Sequence, residues 1–302
     1  MWRKKPGGFL CHKSTTFIGL IPTNCLNFIS KTSRRNLLLL FLLAISSDVF
    51  AQTLISLCSW NLKNFGKSKS DTELEFIANT IKNFDIIAIQ EVVAGEGGAQ
   101  AVAKLNDLLN RKGAKWAYKV SDVTSGTSYK SERYAFIWKT SRVEQIGETW
   151  LEKKYGLLID REPFYCSFRY TDKVFTVVNF HAITKKMQPE TEIKYFKFLP
   201  DLYPGHNLIF CGDFNLPQSH TVFTPLRKRG YVPAFVKQKT SLKQKTINGE
   251  SLASEYDNFY FQSSKINQVN AGIILFHLSF PDLKSARLIS DHVPIYSKFF
   301  VK

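Results

Sequence analysis

Asp213 and Asn215 stand two residues apart behind Leu208-Ile209-Phe210-Cys211-Gly212. Four apolar residues in a row read as a strand buried on both faces, and residues i and i+2 of an extended segment point to one side. A carboxylate and an amide would therefore emerge together at a rigid strand end, the edge where α/β proteins commonly bind ligands. Oxygen donors placed this way suit a divalent cation or a phosphate. Gly, Asp and Asn are also ordinary turn residues, so the motif taken alone fits a plain strand-ending turn equally well.

The pattern repeats along the chain. Residues 54–61 are alternating or apolar until Asn61, residues 85–91 are apolar until Gln90-Glu91, and residues 173–180 run into His181. Asp291-His292 precede the alternating stretch that closes the sequence. Folded into sheets, such strand ends can converge on one edge. The converged set would hold carboxylates, amides and two imidazoles but no thiol, which favours Mg²⁺, Mn²⁺ or Ca²⁺ over zinc. Imidazoles beside a hard cation suit hydrolysis of a phosphate ester, where negative charge builds on oxygen. A lone strand-end His is more often a surface residue, and Asp291-His292 before Val293-Pro294 also fits a simple strand cap. His206 and His220 lie outside any motif, and His277 sits in an apolar run that reads as core.

The elements that must position these groups alternate between strand and helix. Ser70-Asp71-Thr72-Glu73 has the form of a capping box, and Leu74, Ile77, Ile81 and Phe84 follow at helical spacing. Residues 95–98 read as a Gly-rich link into a second helix over 99–112, without the Lys-Ser/Thr of a phosphate-binding loop. Segments 134–138, 164–170, 173–180 and 255–261 read as strands, 190–199 and 221–229 as helices, and 121–133 as a polar loop. Residues 231–254 carry Lys237, Lys239, Lys243 and Lys245 without periodicity and read as a solvated loop, with a substrate-facing role as the alternative. No repeat or composition break follows residue 52, so residues 52–302 read as one α/β domain.

The 302-residue chain carries a net charge of +16, and its 25 Phe among 44 % hydrophobic residues can fill a sizeable core, which excludes a disordered composition. Arg34-Arg35, the apolar run 37–45 and Val49-Phe50-Ala51 have the order of a signal peptide: positive charge, apolar stretch, small-residue cleavage site. That run is short for a membrane span, so a retained anchor is the weaker alternative. Residues 1–51 are therefore expected to be removed, leaving a secreted or periplasmic protein without a transmembrane anchor, although residues 1–33 exceed an ordinary n-region. Losing seven Lys/Arg and one Asp leaves +10, a charge that still favours polyanionic partners such as nucleic acid or anionic lipid. Cys58, Cys166 and Cys211, each in an apolar run, read as buried free thiols, with a single pairing left open.

Trp60-Asn61, Gln90-Glu91, Asn179-Phe180-His181, Gly212-Asp213-Phe214-Asn215 and Ser290-Asp291-His292 resemble, in order and spacing, the endonuclease/exonuclease/phosphatase superfamily. The branch they resemble most is that of deoxyribonuclease I, to which residues 61–66, 128–130, 132–136 and 160–163 are also similar. The resemblance implies an α/β (α+β) four-layer sandwich, two packed mixed β-sheets flanked by helices, carrying a divalent-metal-dependent phosphodiesterase. It implies that Glu91 binds the metal, with Asn61, Asp213 and Asp291 completing or supporting the site. Asn215 and Arg161 would hold phosphate oxygens, and Tyr129 would stack in a groove of the substrate. His181 would pair with Glu132 and His292 with Asp257, flanking the scissile phosphate. Such carboxylate partners fix an imidazole's tautomer and raise its pKa, so one imidazole or Asp213 can deprotonate water while the other imidazole protonates the leaving oxygen.

The implied cofactor is Mg²⁺ or Mn²⁺, and the implied substrate is double-stranded DNA, cut internally with little sequence preference by a monomer needing no stable protein partner. A phosphodiesterase or phosphatase of the same fold acting on phospholipid or a small molecule is the alternative. The chain departs from the branch in four places. Val93 stands where the branch has a groove-entering arginine, and the insertion at 95–98 follows it. One extra residue separates Tyr129 from Glu132. Residues 151–160 replace a Cys-containing, calcium-binding loop, which leaves structural Ca²⁺ and family disulfides open.

Overall fold

The computed structural model describes residues 54–126 and 131–302; the expected signal segment and Tyr129 lie outside them. The chain opens with strand β1 (Ile55–Phe65), which runs past Asn61 with Lys63 and Asn64 at positive φ. Helix α1 (Asp71–Ile81) follows, and both halves of its capping box are made: Ser70 N donates to Glu73 Oε2 at 2.7 Å and Glu73 N to Ser70 Oγ at 3.3 Å. Strand β2 (Ile86–Val93) leads into α2 (Glu96–Asn110). Residues 95–98, expected to be a link, are instead the cap and first turn of α2. The helix packs so closely on the end of β2 that a Cβ at Gly98 would lie 2.1 Å from the Val93 carbonyl, so only glycine fits.

Strands β3 (Trp116–Val120), β4 (Glu132–Lys139), β5 (Glu144–Leu151), β6 (Phe164–Tyr170) and β7 (Lys173–His181) come next. The helix expected over 190–199 is broken into α3 (Glu190–Ile193), a 3₁₀ turn (Phe196–Phe198) and α4 (Leu199–Leu202). Its buried residues Ile193, Phe196 and Leu199 recur every three residues, which suits a three-residue turn better than an α-helix. Strand β8 (Leu208–Asp213), helix α5 (Thr224–Lys228) and strand β9 (Tyr231–Pro233) follow.

The stretch 231–254, expected to be a solvated loop, holds β9 and a two-stranded ribbon of β10 (Leu242–Ile247) and β11 (Glu250–Leu252). Lys239 and Lys243 both reach Glu250, at 2.8 and 3.0 Å, and these cross-strand pairs leave no apolar alternation in the sequence to read. Strands β12 (Asp257–Gln262) and β13 (Ile266–Ile273), helix α6 (Leu283–Ile289) and strand β14 (Ile295–Val301) complete the chain.

Two six-stranded mixed sheets result, in the orders β13-β14-β1-β2-β4-β3 and β5-β6-β7-β8-β12-β9. Their inner faces share one core, in which Leu57, Ala88, Phe136 and Ile295 meet Cys166, Phe175, Val177 and Phe259. Aromatic pairs cross the interface, with Phe136 stacked on Phe164 at 5.4 Å and Phe175 edge-on to Phe299 at 5.7 Å. Each such fully buried Phe stabilises the sandwich by roughly 1.5–3 kcal/mol through burial alone. Helices α1, α2 and α6 cover the outer face of the first sheet, while the 190–202 segments and α5 cover that of the second. This is the expected four-layer sandwich. Among the described residues, Cys58, Cys166 and Cys211 are buried free thiols, as their apolar surroundings suggested, and His277 is buried.

The central pair of each sheet is parallel, β1 with β2 and β7 with β8, while the other ladders are antiparallel. Parallel neighbours end at the same side. Asn61 therefore stands level with Gln90, and His181 level with Asp213. The four strand ends flagged in the sequence meet at one edge of the sandwich.

Candidate active site

A cleft of about 450 Å³ opens at that edge, lined among others by Glu91, Glu132, Arg161, His181, Asp213, Asn215, Asp291 and His292. Two acid–imidazole pairs face each other across it. His181 Nδ1 lies 2.9 Å from Glu132 Oε2, and His292 Nδ1 lies 2.7 Å from Asp257 Oδ2. With Nδ1–H donated to the carboxylate, each ring turns Nε2 inward. Both Nε2 atoms converge on one atom, Asp213 Oδ2, at 3.6 Å from His181 and 3.5 Å from His292. The expected pairings of His181 with Glu132 and of His292 with Asp257 are therefore present.

Electrostatics hold protons on these rings. Burial and the Arg161 guanidinium push His181 down, but the Glu132 and Asp213 carboxylates outweigh them and its pKa is raised overall. Burial likewise opposes protonation of His292, yet Asp257, Asp213 and Asp291 carry its pKa up to about 10. Asp257 itself is pushed upward by burial first and by Asp213, against the pull of His292. The two shifts compete for one proton. We take the pair as imidazolium and carboxylate, because Thr240 Oγ1 also donates to Asp257 Oδ2, at 2.6 Å, and stabilises the charged oxygen.

Glu91 sits where the register of β2 breaks against β4, with φ of +60°, a conformation costing a non-glycine residue about 1–3 kcal/mol. That break turns its carboxylate into the cleft. Oε1 accepts from Asn61 Nδ2 at 2.9 Å and Oε2 from the Asn64 amide at 2.9 Å, leaving lone pairs on both oxygens for a cation. Asn61 Nδ2 also reaches Asp213 Oδ2 at 3.3 Å, while its Oδ1 accepts from the Lys63 amide. Asn61 thus turns its NH₂ to both carboxylates and supports the acids, while its Oδ1 faces the Lys63 amide. Asp291 lines the cleft rim, where Arg287 at 3.0 Å and Lys63 at 3.4 Å contact its Oδ2. Although burial opposes it, His292, Lys63 and Arg287 hold its carboxyl below the ordinary range.

Asp213, Asp257 and His292 also place one ligand atom each within 4.8 Å of one another. The hydrogen bonds of Asp257 Oδ2 to His292 and Thr240 make that trio a proton-holding chain rather than a cage. Glu91 and Asp213, joined through Asn61, fit a hard divalent cation better: both are oxygen donors, and the described thiols are buried elsewhere.

Arg161 and Asn215 adjoin the acids. Arg161 donates Nη1 to Glu132 at 3.2 Å and Nη2 to the Ala182 carbonyl, whereas its buried Nε has no partner among the described residues. Asn215, at φ of +50°, donates Nδ2 to the same carbonyl at 3.0 Å. A guanidinium beside an amide offers N–H donors of the kind that hold phosphate oxygens.

Sequence reasoning missed the supports. Thr240 fell in the stretch read as loop. Lys69 is buried and donates to the last carbonyls of α6, from Leu288 and Ile289, each at 2.7 Å. Ser290 Oγ then accepts from the His292 amide and donates to the Asn61 carbonyl, joining the last loop to β1. Among these only Ser290 belonged to a motif.

The parallel strand ends thus gather two imidazoles, an acid set and the Arg161–Asn215 pair in one cleft. Sequence comparison makes the class specific. Residues 58–262 match the Endonuclease/Exonuclease/phosphatase family, and the chain belongs to it. Curated relatives include a deoxyribonuclease of Thioalkalivibrio sp., 28 % identical over 81 % of this chain and 71 % of its own length. Deoxyribonuclease gamma of Rattus norvegicus is 28 % identical over 86 % and 88 %, and deoxyribonuclease-1 of Canis lupus familiaris is 26 % identical over 84 % and 94 %. Among solved structures, a family protein from Bacteroides thetaiotaomicron superposes with a TM-score of 0.60 at 16 % identity, covering 83 % of this chain and 98 % of that one. The human Nocturnin catalytic domain gives 0.58 at 15 %, covering 82 % and 95 %. These neighbours share the fold. The chain is a hydrolytic enzyme of the phosphodiesterase and nuclease class.

Proposed function

We propose that this enzyme is an exported, divalent-metal-dependent endonuclease that hydrolyses DNA phosphodiester bonds with little sequence preference. The observation that carries the chemistry is the convergence of both imidazole Nε2 atoms on Asp213 Oδ2 beside Glu91. The deoxyribonuclease relatives, among them the two named from mammals, support DNA as the substrate. Export rests on the Arg-Arg, apolar and Val-Phe-Ala order of residues 34–51, and the proposed mature domain is residues 52–302.

In this reading Glu91 and Asp213, with Asp291 at the rim, hold Mg²⁺ or Mn²⁺. Such an ion, when bound, neutralises charge on phosphoryl oxygens. Arg161 and Asn215 hold the non-bridging oxygens. Asp213 Oδ2 orients the attacking water and accepts its proton. His292, its pKa carried up to about 10, delivers a proton from Nε2 to the leaving oxygen, while Asp257 and Thr240 keep that ring charged. His181, fixed by Glu132, donates to the phosphate as charge builds.

Nicking of supercoiled plasmid, run beside hydrolysis of sphingomyelin and a phosphoinositide, tests the assignment. Nicking abolished by EDTA and restored by Mg²⁺ or Mn²⁺ is expected, and Glu91→Ala, His181→Ala and His292→Ala should each lose at least about 100-fold in kcat. Rapid lipid hydrolysis without nicking would replace DNA by a phospholipid substrate, and full activity in EDTA would remove the metal.

A further inference from the structure

Beneath the cleft, two amides that the proposed reaction does not use cross from one sheet to the other. Asn179 lies on β7 two residues before His181 and is completely buried. Its Nδ2 donates to two carbonyls of the opposite sheet, Ile89 at 3.0 Å on β2 and Ala135 at 3.3 Å on β4. Those residues form the last regular pair before the ladder slips, since Ile89 faces Ala135 but the next pair is Val92 with Arg133. Gln90 and Glu91 therefore oppose Tyr134 alone, which is a β-bulge. Asn179 closes on the bulge that turns Glu91 into the cleft.

Gln90 completes the arrangement. It is fully buried and donates Nε2 to Asn179 Oδ1 at 2.5 Å and to Ser59 Oγ at 3.0 Å. Its Oε1 has no partner among the described residues. An orphaned buried acceptor is costly, and the left-handed Glu91 next to it adds a further cost. Both would be relieved if the bulge relaxed. Asn61 and the Asn64 amide hold the Glu91 side chain from its own sheet, and the two bonds that Asn179 makes oppose relaxation from the other sheet.

We propose that Asn179, held by Gln90, is a positioning residue: it locks the β2 bulge and so sets the Glu91 carboxylate, and hence the cation, against His181 on its own strand. This rests on the metal-dependent reading above. Residues 179 and 181 point to the same side of β7, so one strand carries both the lock and the imidazole it aligns. The position calls for an amide. A carboxylate would face two carbonyl oxygens, and an aliphatic side chain would give up both inter-sheet bonds and the acceptor of one Gln90 N–H.

Asn179→Leu and Asn179→Ser, made in the full chain, test this by three readouts: Mn²⁺ affinity by calorimetry without DNA, kcat and KM for plasmid nicking, and thermal midpoint. Each variant should bind Mn²⁺ about 10–100-fold more weakly and lose about 100-fold in kcat. KM for DNA should stay within about threefold, because Arg161 and Asn215 are untouched. Either folded variant with wild-type Mn²⁺ affinity and kcat would overturn the proposal, even with a lowered thermal midpoint, since that is the mark of a merely structural residue. Should Asn179→Leu fail to fold, Asn179→Ser decides. A wild type that neither binds Mn²⁺ nor cuts DNA would sink the functional reading and this inference together; a competent wild type beside matching variants sinks the inference alone.

Discussion

Asp257→Asn isolates the charge that keeps His292 protonated. The buried Asp257 Oδ2 accepts from both His292 Nδ1, at 2.7 Å, and Thr240 Oγ1, at 2.6 Å. An Asn keeps the size and one acceptor but removes the charge. A hydrogen bond to a charged group contributes about 1.5–3 kcal/mol against about 0.5–1.5 for a neutral one, so the loss is roughly 1–1.5 kcal/mol, or about one pKa unit. His292, which starts at about 10, should fall by about that amount, while Asp213 and Asp291 still hold it up. A general acid works below its pKa and fails above it, so the alkaline limb of kcat should move to lower pH. Where the Asn turns its NH₂ toward Nδ1, the proton is forced to Nε2 in the wrong tautomer, and kcat should drop by about 10²–10⁴. Plasmid nicking measured across the alkaline range gives both quantities, with KM nearly unchanged. An unshifted limb with kcat close to wild type would refute His292 as the acid and Asp257 as its partner.

Three further outcomes follow from the same geometry. His292 is raised above its ordinary value of 6.5, so its contribution to stability is complete below about pH 6.5 and lost as pH rises through about 10; the urea midpoint should decline across that window, less steeply in Asp257→Asn. Gly212→Ala should cost at least about 3 kcal/mol by urea denaturation, because φ is +130° and a Cβ would lie 1.9 Å from the Phe180 carbonyl of the neighbouring strand; near-normal stability would contradict the parallel β7–β8 pairing. None of Lys237, Lys239, Lys243 and Lys245 lines the cleft, and Glu250 engages two of them, so their joint change to Ala should alter the log–log salt slope of DNA cleavage by less than about 0.9, one phosphate's worth. A larger change would mean that the ribbon grips DNA.

Periodicity made the central strands and α1 readable because both are buried on predictable faces: β8 is apolar from Leu208 to Cys211, and α1 carries its capping box beside Leu74, Ile77 and Ile81. Residue types at strand ends also announced carboxylate, amide and imidazole chemistry, since nothing in a core strand requires Asn61, Glu91, His181 or Asp213. What stayed hidden has a common cause. The ribbon of β10 and β11 is bridged by Lys239, just before β10, and Lys243, both to Glu250, charged groups whose meeting is a matter of chain reversal rather than of local pattern. Thr240 meets Asp257 across 17 residues, Asn61 meets Asp213 across 152, and Asn179 meets Ile89 across 90. Local preference determines which residues can be strand, turn or helix and which could do chemistry. Only the packing of two sheets, whose central pairs are both parallel, decided that these ends share one edge, that both imidazoles address a single oxygen, and that Asn61 supports the acids with its NH₂.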